Sequence, residues 1–99
     1  MPTQAHPRAQ EQAEALADEL SRRGLATRVS MDGLHHPCVR ATNTALSRMS
    51  EDVYAAPADG SWFFWWSWAE KIGPIDDVTK AADAITYVLN PHMSGPASA

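Results

Sequence analysis

Cysteine is nearly missing from this chain. Cys38 is the one thiol in 99 residues, so no disulfide can form within the chain, and a reducing compartment is the expected setting. Long apolar runs are missing too. The longest, residues 62–66, has five residues, against the ~20 that a membrane-spanning helix needs. The N-terminus carries no charged segment followed by an apolar run, so no signal peptide is expected; the expected location is cytoplasmic. There is no glycine-rich phosphate loop, dinucleotide fingerprint or hydrolase motif. No cofactor is therefore expected, and the chain is not expected to be an enzyme. Basic residues number eight against twelve acids, a balance that argues against nucleic-acid and membrane partners. The deficit is uneven. Residues 1–48 hold six arginines and five acids, whereas residues 49–99 hold two lysines and seven acids.

What is present is concentrated. All four tryptophans and both phenylalanines fall in Trp62-Phe63-Phe64-Trp65-Trp66-Ser67-Trp68. No helical stripe has that spacing. A strand sends alternate residues to opposite faces, so Trp62, Phe64, Trp66 and Trp68 share one face, and Phe63 and Trp65 share the other. Each buried aromatic removes roughly 150–250 Å² from water. A small domain has few means of covering both faces of such a strand.

The flanking segments supply the rest of one domain. Residues 1–6 and 91–99 read as flexible ends, the second being small, polar and broken by proline; 7–90 reads as the folded unit. A helix is expected over Pro7–Arg23, with Ala9, Ala13, Leu16, Ala17 and Leu20 as its apolar stripe and Asp18–Arg22 and Glu19–Arg23 as i,i+4 pairs. Gly24 suits its end. Leu25–Met31 alternates as a half-buried strand, and residues 37–42 read as a second, after the turn signal Asp32-Gly33. Thr42–Ser50 is a polar connection. Glu51–Ala56 is a third strand, and Asp59-Gly60 turns the chain into the aromatic strand, which extends to Ile72. Gly73-Pro74 breaks it. A last helix runs to Leu89, with Asp76 and Asp77 in its first turn and Val78, Ala81, Ala82, Ile85, Val88 and Leu89 as its stripe.

The order is αββββα, an α+β fold. The strand connections are too short for helical crossovers, so four antiparallel strands are expected, with both helices packed on one face. The even-numbered aromatics belong under the helices, giving a core of Trp62, Phe64, Trp66, Leu16, Leu20, Ile85 and Val88. Phe63, Trp65, Arg28 and Arg40 then fall on the opposite face and are the candidate interface residues. Exposed apolar patches of that kind mark interaction sites, and tryptophan and arginine are enriched at binding hot spots.

Catalytic candidates are few. His35-His36-Pro37-Cys38 places three metal-capable side chains beside Asp32, yet no second ligand pair exists to close a tetrahedral zinc site. Cys38 as a nucleophile would need a base and an orienting group; a buried strand thiol is the simpler reading. No catalytic or metal residue is assigned.

Two segments, Leu16-Ala17-Asp18-Glu19-Leu20-Ser21-Arg22-Arg23-Gly24-Leu25 and Trp62 through Trp68 to Ile72-Gly73-Pro74 with Asp76-Asp77, resemble small uncharacterised actinobacterial proteins often encoded near helix-turn-helix regulators. That resemblance implies an accessory or regulatory binding role and no site residues. The expected function is a non-enzymatic protein-interaction module acting through the aromatic sheet face, as a homodimer or with a protein partner. The alternative is a small-molecule binder with a Trp-rich apolar pocket.

Overall fold

The computed structural model describes residues 7–31, 36–46 and 48–89. Helix α1 (Pro7–Arg22) leads into five strands, β1 (Leu25–Met31), β2 (Pro37–Asn43), β3 (Ser50–Ala58), β4 (Ser61–Trp66) and β5 (Lys71–Pro74), and helix α2 (Val78–Leu89) follows. The strands lie in sequence order, each antiparallel to the next. The expected α+β class, antiparallel sheet and one-sided helix layer hold, but the sheet has five strands rather than four.

The fifth strand arises because the aromatic strand stops at Trp66. Residues 67–70 turn back, with the Trp66 amide donating to the Glu70 carbonyl at 2.8 Å and the Ala69 amide to the Trp66 carbonyl at 2.9 Å. Ala69 sits at φ 69°, a left-handed conformation unusual for a residue with a Cβ. Lys71 and Gly73 then pair with Trp65 and Phe64 across an irregularity. The earlier turn is the one the sequence announced. Asp59 and Gly60 both have positive φ, as a two-residue hairpin turn matched to strand twist requires.

Inward-facing residues follow the register. Val39 pairs with Val53, Val53 with Trp66 and Ala55 with Phe64, and all are buried. Leu16 and Leu20 of α1 and Ile85 and Leu89 of α2 close over them. One expected core residue, Val88, does not belong there, and Trp68 does not lie under the helices with the other even-numbered aromatics. Val88 is 38% exposed, because the apolar stripe of α2 passes through Ile85 and Leu89 and leaves Val88 at its margin. Trp68 is 52% exposed, because the chain has already left the strand; its ring stacks on Trp66 at 4.9 Å between centroids and 5° between planes. Trp62 is only partly buried, at the edge of the core.

The helices are tied together at both ends. Arg8 bonds Asp76, with its Nε donating to Oδ1 at 2.7 Å. Arg23 donates to Glu19 at 2.9 Å and to Asp83 at 2.8 Å. Arg22 bonds Glu19 rather than the expected Asp18. The two arginines hold the Glu19 carboxyl below its usual range, Arg22 most strongly. Asp77 does not lie within α2 but caps it: its Oδ1 accepts from the Lys80 amide at 3.0 Å, the geometry of an N-cap residue bonding its third helical neighbour. Asp76 precedes the helix.

A buried asparagine fixes the other end of α2. Asn43, at the end of β2, donates through Nδ2 to the Leu89 carbonyl at 2.7 Å, and its Oδ1 accepts from the Ala45 and Leu46 amides at 2.8 and 3.0 Å. One side chain thus satisfies a terminal carbonyl of the helix, a group with no intrahelical partner, and shapes the β2–β3 loop.

Candidate interaction face

The helices cover one side of the sheet, and the opposite side has no second layer among the described residues. Alternation along paired strands decides what it displays. Ser30, Cys38, Tyr54, Trp65 and Lys71 form one cross-strand row, and Arg28, Arg40 and Asp52 form the next. Ala56 pairs with Phe63 in a third. All four expected interface residues, Phe63, Trp65, Arg28 and Arg40, therefore share this face, as strand parity requires. They divide into two corners: the aromatic pair lies on β4 and the arginines lie on β1 and β2.

The aromatic corner is neither bare nor sealed. Phe63 and Trp65 are both half-buried and meet edge to face at 6.3 Å and 82°. The Trp65 indole reaches back over β3 and donates from Nε1 to the Ala56 carbonyl at 3.0 Å. Lys71 lies with its ammonium 4.1 Å from the Phe63 ring centroid and 5.6 Å from that of Trp65, within the range of cation–π attraction. Tyr54 stands beside Trp65 in register. Tyr54 and Lys71 were not singled out in the sequence. Tyr54 could have been found by counting from the Asp59-Gly60 turn, which sets it opposite Trp65; Lys71 has the odd-numbered parity of Phe63 and Trp65, but its place beside them comes from the unforeseen strand β5.

Cys38 lies on this same face, buried under its neighbours. Burial pushes its thiol up from the usual value and nearby Asp52 adds to the shift, while hydrogen bonds with Tyr54 and Ser30 act the other way. A thiol held protonated is a poor nucleophile. The His36 ring meets that of Trp62 edge-on at 5.8 Å and 85°. His35 and Asp32 lie outside the described residues. Among the described residues no three His, Cys, Asp or Glu side chains converge as metal ligands would, and no helix is long and apolar enough to cross a membrane.

Among the clefts on the surface of the described residues, two bear on this face. One, of about 190 Å³, lies between the arginines and is lined by Ala26, Thr27, Arg28, Arg40 and Thr42. The other, of about 340 Å³, lies where Trp62 and Phe63 meet Pro74 and Ile75, with the Arg8–Asp76 pair at its rim. The hydrophobic core lies between helices and sheet.

Comparison with known proteins finds no matching family model, no matching curated protein and no matching solved structure. The functional reading therefore rests on this chain's own residues.

Proposed function

We propose that the protein is a non-enzymatic interaction module whose docking surface is the outer face of the sheet, with a second copy of the chain as its simplest occupant. The observation that carries this is the gathering of Phe63, Trp65 and Tyr54 with Lys71, Arg28 and Arg40 on the sheet face that has no helix layer among the described residues. Tryptophan, tyrosine and arginine on one face are the composition of binding hot spots. An accessory regulatory role is the setting that this reading favours. Catalysis gains no support from the one buried thiol, which burial holds protonated.

Sedimentation velocity over a wide concentration range tests the homodimer. The wild type should show a concentration-dependent dimer, and Trp65→Ser should shift it toward monomer with the fold unchanged by circular dichroism. A wild-type monomer throughout refutes self-association through this face. The alternative, a small-molecule binder, draws on the cleft beside Trp62 and Phe63. Its volume sits at the low end of ligand sites, roughly 300–1,000 Å³, and it is formed at the sheet edge rather than as a Trp-rich pocket in the core.

A further inference from the structure

Arg28 and Arg40 stand directly opposite each other across β1 and β2. Like charges in that position repel and weaken a sheet. One of the two is balanced: Arg40 donates from Nη2 to Asp52 at 3.1 Å and from Nη1 to Ser50 at 3.3 Å. The Arg28 guanidinium makes no hydrogen bond or ion pair among the described residues. Both arginines line the 190 Å³ cleft together with Ala26, Thr27 and Thr42, and Ala26 and Thr42 pair across the same two strands. A sheet that carries such an unbalanced pair breaks a local rule, and violations of that kind concentrate at functional sites.

We propose that this corner is an anion site that takes a single carboxylate, presented as an Asp or Glu side chain by the protein that docks on the face. Two guanidiniums and one carboxylate leave the cleft one positive charge in excess, which matches a monoanion. A phosphate dianion would set a second negative charge beside Asp52, and a nucleic-acid strand would meet a chain of net charge −4, which repels polyanions. The guanidinium fork binds a planar carboxylate through two parallel hydrogen bonds. Arg28 supplies the free fork, and Arg40, anchored by Asp52 and Ser50, supplies a fixed field. The inference rests on the docking reading for its partner but not for its chemistry.

The test is an amide and Arg Nε–H NMR titration of the full chain with sodium acetate replacing sodium chloride at constant ionic strength. Saturating shifts at Arg28, Arg40 and Thr42 are expected. Arg28→Gln should weaken acetate binding about tenfold or more, the loss of a charged hydrogen bond. As a second variant, Ala26→Glu should place a resident carboxylate in the cleft and abolish the acetate response. Linear shifts, or shifts unchanged in Arg28→Gln, would mean general screening and overturn the site. Tighter binding of inorganic phosphate, or of a single-stranded oligonucleotide in parallel titrations, would overturn the assignment to carboxylate. Acetate binding by a strictly monomeric chain would leave the site standing while removing the homodimer; a dimer indifferent to acetate would do the reverse.

Discussion

Replacing Asn43 is expected to unfasten two elements at once. Its side chain is 8% exposed and makes three hydrogen bonds, one to the last carbonyl of α2 and two from the β2–β3 loop. Each such bond is worth about 1 kcal/mol net, and a buried partner left unsatisfied costs more. Asn43→Ala should therefore lose about 3–4 kcal/mol, a large fraction of the roughly 5–15 kcal/mol that holds a small domain together. Asn43→Asp separates the two roles. It keeps an acceptor for Ala45 and Leu46 but loses the donor and sets a negative charge against the negative end of a helix, so the helix alone should suffer. Urea unfolding followed by tryptophan fluorescence and by helical circular dichroism measures both. An Asn43→Ala variant within about 0.5 kcal/mol of wild type, the range of ordinary surface changes, would refute the assignment of Asn43 as the bolt between sheet and helix.

Three further outcomes are expected. Phe64→Ala, at a position 1% exposed at the centre of the core, should cost about 3–5 kcal/mol in the same unfolding assay, and a small loss would mean the core lies elsewhere. Thr86→Val should gain about 1 kcal/mol, because the Thr86 hydroxyl is buried with no hydrogen-bond partner among the described residues and the unmet group is removed at nearly constant shape; a loss of stability would show that the hydroxyl is satisfied. Cys38 should react slowly with a thiol reagent at neutral pH, its burial having raised the thiol pKa. Because the folded value lies above the unfolded one, the neutral thiol's contribution is complete below the unfolded value and is lost as pH rises through the folded one, so reactivity and instability should appear together on the alkaline side.

The helices and the first three strands were legible because their periodicities are unmixed: Leu16 and Leu20 fall on a helical stripe, and Leu25 to Met31 alternates. The Asp59-Gly60 turn carries its own residue chemistry. What escaped detection was written in residues that do not advertise their conformation. Ala69 takes a left-handed φ with no turn signal, so Trp68 continued the alternation on paper while the chain had already reversed, and β5 was lost with it. Asn43 reads as a loop residue because polarity alone does not show that a side chain points inward and finds three partners. At the candidate face, parity along strands was enough to bring Phe63, Trp65, Arg28 and Arg40 together. It could not show that the Trp65 indole folds back onto Ala56, or that Lys71 rests on Phe63, because those contacts depend on rotamers and on an unforeseen strand.

The strand order has a kinetic consequence. Since every strand neighbours its predecessor, each pairing closes only a short loop, and sheets with local pairing fold faster than those that join distant segments. Helix α1 can dock on β1 and β2 without waiting for the rest of the chain. The long closures are those that bring α2 back to α1, through Arg23–Asp83 and Arg8–Asp76 across sixty and sixty-eight residues, and to β2 through Asn43. Substitutions in the early hairpins should therefore slow folding, whereas loosening α2 should chiefly hasten unfolding, leaving the lifetime of the native state in the keeping of its last helix.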